Sequence, residues 1–233
     1  MMVARAFRRS AAVAVVALGA VGITAVVAPA GASEDFVAGS GQVTTRVVKV
    51  GPTAGRLSFA PSVGLATAQY TGTVGRAESK LFDFAALDSS IPKQLVDQSP
   101  SVRVDSTDPG AETGVSRSSV ALPAGSPVRA GGTTQSARAG KDPFGEATFV
   151  LGDFAPVPGM VELTGARAVS RSGVVGGATR ESLGEVQIGR LALGGGAVVL
   201  EGLTWDVRQR TGKDKAAGGT FGIRGITIGG QHL

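Results

Sequence analysis

Chemistry in this chain has to be done without thiols and almost without imidazole. The 233 residues include no Cys and a single His, His232. That removes disulfides, thiolate zinc sites, cysteine nucleophiles and His-based triads. Carboxylates remain. Two pairs are close enough in sequence to be weighed as the acid and base of a glycosidase, Glu78 with Asp83 and Glu181 with Glu185. Such a site also lines a cleft with aromatic rings for the sugar faces, and the chain has one Trp, Trp205, and one Tyr, Tyr70. These acids therefore read as surface groups on strands and turns. The acidic run Asp105-Ser-Thr-Asp-Pro-Gly-Ala-Glu112 offers the hard oxygens that calcium takes. Its spacing departs from the EF-hand loop, and Asp-Pro-Gly is a turn in its own right. Gly140-Lys141 and Gly212-Lys213 lack the earlier Gly and the following Ser or Thr of a phosphate-binding loop. Leu122-Pro-Ala-Gly-Ser126 has the outline of a sorting motif without an apolar tail behind it, and reads as a turn. One interaction candidate is left: Arg208, Arg210, Lys213 and Lys215, a basic cluster around a hairpin tip that Asp206 and Asp214 dilute. No catalytic residue, cofactor or metal site is assigned, and the expectation is that the protein is not an enzyme.

The segment that precedes all of these groups governs their compartment. Arg5, Arg8 and Arg9 are followed by an uncharged stretch from Ser10 to Ala30, rich in Ala and Val, and then by Ala28-Pro-Ala-Gly-Ala32. A basic start, an apolar middle and small residues at A-x-A spacing make a secretory signal peptide, cleaved after Ala30 or Ala32. Its removal takes three Arg from a formal net charge of +5 and leaves 20 basic and 18 acidic residues. The basic balance therefore gives no reason to expect nucleic acid. No second apolar run of spanning length follows, so no membrane partner is expected after cleavage. The protein is expected to be secreted or held in the cell envelope.

Behind the signal (1–32), residues 33–56 read as a flexible leader with one strand candidate, Val43–Val50, and residues 57–233 as a β domain. The polar, Pro- and Gly-punctuated stretches 88–114 and 122–145 read as long connections. The best helix signal is Leu81–Leu87. Elsewhere Gly and β-branched residues favour short strands and tight turns. The clearest pattern lies in residues 147–230. Phe149-Val-Leu-Gly-Asp-Phe154 recurs in outline as Val186-Gln-Ile-Gly-Arg-Leu191, 37 residues on, and as Phe221-Gly-Ile-Arg-Gly-Ile226, 35 residues further. The 37-residue offset also superposes Gly159 on Gly196, Val161 on Val198, Leu163 on Leu200, Gly165 on Gly202 and Arg171 on Arg208. Apolar residues at the first, third and sixth positions predict a strand that breaks its period of two, and a bulge beside the Gly would restore the facing. Each unit then reads as a hairpin. The predicted fold is all-β, an antiparallel meander of repeated hairpins forming a sandwich or strongly curved sheet, with a β-solenoid as the alternative. Alternation along Ala197–Val207 places Leu203, Trp205 and Val207 on the core face.

Four short segments carry a family resemblance: Gly75-Arg-Ala-Glu-Ser79, Val104-Asp-Ser-Thr-Asp-Pro-Gly110, Leu200-Glu-Gly-Leu-Thr-Trp205 and Gly218-Gly-Thr-Phe-Gly-Ile223. With them the chain resembles exported, Gly-rich, repeat-containing β proteins of actinobacteria of the choice-of-anchor type. The resemblance implies an exported β protein and brings no activity with it. Unlike that group, the sequence finishes on Gln231-His-Leu233 without an apolar tail. The expectation that results is a non-enzymatic protein with a structural or interaction role. Its partner is an anionic cell-wall polymer or another envelope protein. Two alternatives stand beside it: a wall-polymer or carbohydrate binding module using the basic tip with Tyr70 or Trp205, and a carboxylate-pair hydrolase.

Overall fold

The computed structural model describes residues 16–26, 39–50, 62–83, 101–107, 115–118, 129–140, 144–177, 179–212 and 215–233. Their elements are strands: β1 (Val16–Val26), β2 (Ser40–Val50), β3 (Ser62–Thr71), β4 (Val74–Asp83), β5 (Ser101–Asp105), β6 (Val115–Ser118), β7 (Arg129–Ala130), β8 (Thr133–Gly140), β9 (Phe144–Val157), β10 (Val161–Val175), β11 (Thr179–Leu193), β12 (Val198–Gly212), β13 (Ala216–Gly222), β14 (Gly225–Ile228) and β15 (Gln231–His232). No helix occurs among the described residues. One sheet runs β1-β2-β3-β4-β5. The other runs β15-β14-β12-β11-β10-β9-β8-β6, with β13 beside β12 and β7 beside β9. All pairings are antiparallel, and most neighbours are successive in sequence, so the sheets are two meanders, with short turns at 72–73, 158–160 and 194–197. The sheets stack in matching order, with β2 over β10 and β11, β3 over β9 and β10, and β4 over β8 and β9. This is an aligned, all-antiparallel sandwich.

The two layers are not evenly spaced. At the start of β4 and β9 main chain meets main chain. A Cβ on Gly75 would lie 1.9 Å from the Phe144 carbonyl oxygen, and one on Gly145 would lie 2.0 Å from that of Arg76. The side chains filling this end are small: Ala68, Ala77, Ser79, Ala137, Ala139, Ala147, Ser170 and Ser172 are all buried. Their hydroxyls cross between the layers. Ser170 Oγ donates to the Ala66 carbonyl at 2.7 Å, and Ser79 Oγ donates to that of Thr148 at 3.1 Å. At the far ends of the same two strands the layers hold large rings, Phe82 against Phe154 with centroids 6.5 Å apart. Between lie Leu65, Leu81, Phe149, Leu151, Ile188 and Leu191, all buried. The sandwich is a wedge whose thin end is filled mainly by Gly, Ala and Ser, with the Tyr70 ring buried in register with Gly75.

The broken period of two is realised in an unexpected way. Phe149, Leu151 and Phe154 all face the core, as do Val186, Ile188 and Leu191. No bulge produces the step. Pairing continues from Thr164↔Arg190 to Ala166↔Ile188, and from Arg190↔Glu201 to Ile188↔Leu203, with no residue gained or lost. Gly152, Gly165, Gly189 and Gly202 instead form a row across β9 to β12, and Gly165 and Gly202 take φ of +66° and +58°. Because each of these four strands carries Gly in the same row, they change facing together and keep register through it; the shift between β9 and β10 comes beyond the row, between Val161 and Leu163. The crease ends where β13 gives way to β14. There the Arg224 N–H donates to the Glu201 carbonyl at 2.9 Å, and pairing resumes at Glu201↔Gly225.

Several expectations need correction. Leu81–Asp83, read as the start of a helix, ends β4, where Leu81 is a buried core residue; the remainder of that helix candidate lies outside the described residues. The polar stretches read as connections contain β5, β7 and β8. In β8 the core side is Thr133, Gln135, Ala137 and Ala139, so small and polar residues hide the alternation. The strand within the predicted leader is no leader to the sandwich: Val43, Val47 and Val48 of β2 are core residues. Residues 16–26, which lie within the expected signal, pair along β2 from Val16↔Val50 to Val26↔Ser40 as the outer strand of the first sheet, a pairing that bears on neither export nor cleavage.

Trp205 faces inward, opposite Val186 on one side and Phe221 on the other, with the two rings 5.1 Å apart. It packs on the core edge and is half-buried. Its emission should be blue-shifted and move red on unfolding, and Trp205→Ala should cost about 3 kcal/mol, the low end for a large aromatic. Native emission like that of free Trp would contradict this placement. A sharper check is the thin end. Gly75→Ala or Gly145→Ala should lower stability by about 3 kcal/mol or prevent folding. Gly132→Ala, where a Cβ meets nothing within 4 Å, should change the urea midpoint by less than about 0.5 kcal/mol equivalent.

Candidate functional site

The strands β11 to β13 present their outward face as three polar rungs. Glu185 stands opposite Asp206, which stands opposite Thr220; Gln187 stands opposite Thr204; and Leu183 stands opposite Arg208, then Gly218. The inward facing of Val186, Ile188, Leu203 and Trp205 forces this arrangement, since successive side chains alternate. β13 contributes almost nothing but backbone here. A side chain at Gly218 would meet nothing within 4 Å. The result is an open groove of about 580 Å³, floored by Ala216–Thr220 and walled by Leu183, Glu185, Gln187, Asp206 and Arg208. Asp206 accepts a hydrogen bond from Thr220 Oγ1. Its lining is mixed, with Leu183, Trp205, Ala216 and Ala217 beside the polar Glu185, Gln187, Thr204, Asp206, Arg208 and Thr220, and the groove is wide open.

Around it the charges pair across strands. Glu181 takes Arg210 Nε at 2.6 Å and Arg208 Nε at 3.9 Å. Glu146 sits between Arg138 and Arg171, each at 3.9 Å. Two of the four residues of the predicted basic cluster are thus strand residues with a shared carboxylate partner. Lys215 is exposed at the start of β13, and Lys213 lies outside the described residues.

The carboxylate pairs read from sequence do not form. Glu181 and Glu185 are four residues apart on one strand, and Glu78 and Asp83 five apart on another, so about 13 and 17 Å separate their backbones. That exceeds the 6.5–9.5 Å span of an inverting pair. Asp83 is taken by Arg46 at 3.5 Å and Ser62 at 3.4 Å, and Glu78 faces Lys80 at 3.3 Å. The carboxylates brought side by side are Glu185 and Asp206, which sequence reasoning did not pair with each other. Only the register of β11 on β12 makes them neighbours. The groove they share is open, whereas a carboxylate pair is split into acid and base by an enclosed, apolar surround.

Tyr70 cannot serve as a sugar platform, because it is 1 % exposed and lies between the sheets. Burial pushes its phenol pKa up, partly offset by Arg180. Asp105 ends β5 and holds the turn after it, accepting from the Thr107 N–H at 3.1 Å and from Thr107 Oγ1 at 2.8 Å. Arg76 Nε lies 2.5 Å from its other oxygen. The Thr107 backbone bond above all, with Arg76 and the Thr107 hydroxyl, holds its carboxyl below the usual range, while burial opposes them. Asp108 and Glu112 of that acidic run, like Lys141 and Leu122–Ser126, lie outside the described residues. No group of three His, Asp or Glu side chains suited to a metal occurs among the described residues.

Compared with known protein families, with curated proteins and with solved structures, the chain matches none. No helix among the described residues is long and apolar enough to cross a membrane.

The Asp105 turn carries a pH prediction. A lowered carboxyl pKa lends stability that is complete above the unfolded value near ~4. That stability is lost as pH falls through the lower folded value. Asp105→Asn should therefore flatten the acid limb of the stability curve below about pH 4. Thermal melts from pH 7 to pH 2 check this, and an unchanged limb would contradict it.

Proposed function

We propose that this is a non-enzymatic exported protein of the cell envelope or extracellular space, with an interaction role. The observation that carries the reading is the outward face of β11 to β13, an open groove of mixed polar and apolar lining set in a lattice of paired Arg and carboxylate groups. Such a face suits contact with an extended polar partner. It does not surround and dry a substrate, which acid–base chemistry on two carboxylates requires. Export rests on the basic start, apolar middle and Ala28-Pro-Ala of the N-terminus. A hairpin repeat is part of the same reading. It is supported by Leu163 and Leu200, both facing the core, and by Gly165 and Gly202, both with positive φ.

The groove also favours a more specific reading, a module for wall polymer or carbohydrate. Two forces would then contribute: hydrogen bonds from Gln187, Thr204, Asp206 and Thr220, and the charge of Arg208, Arg210, Lys213 and Lys215. Glu181 restrains the second by pairing with both arginines.

Retention on purified wall polymers separates these readings. A polymer-binding module should show saturable retention that Gly218→Trp abolishes at unchanged melting temperature, because that side chain enters open space. Glu181→Gln should strengthen binding to an anionic polymer, and added salt should reverse the gain. No retention of either variant or the parent would leave a protein partner as the role. Turnover of glycoside or ester substrates, lost in Glu185→Gln, would overturn the non-enzymatic reading.

A further inference from the structure

We infer that the exported form takes up an extended strand of small, uncharged residues, supplied by a partner polypeptide, in the position β1 occupies here. The inference rests on the reading of the N-terminus as a cleaved signal. β1 lies wholly before both cleavage points. It is the outermost strand of its sheet, antiparallel to β2 along the full length of both, and it also lies over β11 and β12 of the other sheet. Its removal has two consequences at one place. The outer N–H and C=O groups of β2 lose their partners over Ser40–Val50. The inward side of β12 beyond β2 loses its cover, and that side carries Leu203, Trp205 and Val207. Phe221, next along the same row, is already 57 % exposed with β1 in place. A ledge results, with a strand edge for its wall and an apolar sheet face for its floor.

β2 is poorly protected as an edge. It has no Pro, and its two charges are Arg46, held by Asp83, and Lys49. Long flat edges of this kind pair with whatever strand is offered. The overhang decides what can be offered. A second copy pairing β2 to β2 would relate the two by a two-fold axis normal to the sheet. Both copies of β12 to β14 would then lie on the same side and compete for one space. A single extended segment has no such conflict. Its chemistry is given by the strand that fits, Val16-Ala-Leu-Gly-Ala-Val-Gly-Ile-Thr-Ala-Val26, which is uncharged and dominated by Ala, Val and Gly. Main-chain bonds to β2 supply affinity, and alternate side chains on the floor supply selectivity, as in other strand-addition complexes.

The probe is a peptide of Val16–Val26 with terminal lysines for solubility, added to exported protein whose first residue is fixed by intact mass. Saturable one-to-one binding with a blue shift of Trp205 emission is expected. A peptide with both Ala20→Pro and Val21→Pro, one of which must remove an N–H that faces β2 because successive N–H groups alternate, should bind about tenfold more weakly or worse. Chain that retains β1 should not bind. Mature chain that ignores the peptide, that binds the Pro variant equally, or that fills the ledge by forming a dimer would overturn the inference. An exported mass that still includes Val16–Val26 would instead overturn the cleaved signal. In that case a protease site placed at 30–31, cut and stripped of β1, puts the ledge itself to the same test.

Discussion

Everything in this sandwich is arranged around one contact, the touching main chains of β4 and β9 at Gly75 and Gly145. Sheets that meet backbone to backbone leave little room beside the contact, so most side chains there are small, with Tyr70 and Val104 as the larger groups that are accommodated. That condition propagates along five strands as Ala68, Ala77, Ala137, Ala139, Ala147, Ser170 and Ser172. Apolar area per residue is low there, so the thin end leans on other terms. Dense van der Waals contact is one, and hydroxyl bonds such as Ser170 to Ala66 are another. The thick end, with Phe82, Phe149, Leu151 and Phe154, supplies the conventional apolar burial. A chain with few aromatics and 36 Gly is what a wedge of this shape requires.

The glycine crease then separates the two ends of the second sheet. By switching facing on every strand at once, Gly152, Gly165, Gly189 and Gly202 keep apolar residues inward on both sides of the crease, Phe149 and Val186 before it and Phe154 and Leu191 after it. Trp205 and Phe221 lie on the Val186 side, towards the edge of the second sheet, on a face only partly covered. The outward groove is the reverse side of the same strands.

Reading residues alone reached the all-β fold, the meander and the inward set Phe149, Leu151, Phe154, Val186, Ile188 and Leu191, because hydrophobic spacing is a local property of a strand. The same approach failed where the core is built from residues that carry no hydrophobic signal. β8 buries Thr133 and Gln135, so its alternation was invisible. β5 was lost for a different reason: it buries Val102 and Val104, but two apolar residues inside a polar, Pro-punctuated stretch are too short a pattern to mark a strand. Leu81 and its neighbours looked helical, since nothing local distinguishes an apolar run on β4 from one turn of helix. The bulge was inferred from one strand in isolation, whereas the crease is a property of four strands in register.

The candidate site divides the same way. Sequence by itself determined which chemistry was available: no thiol, one His, carboxylates as the remaining acids, and a basic cluster at 208–215. It also determined the alternation that turns Trp205 inward and Asp206 outward. Only the tertiary structure decided which of those groups meet. Registry of β11 on β12 sets Glu185 against Asp206 and gives Arg208 and Arg210 a shared partner in Glu181, while the stacking of two sheets buries Tyr70. A strand's own residues fix which way each side chain points, but its neighbours across the ladder are chosen by the turns and by the packing of both layers, and these are not written within any one strand.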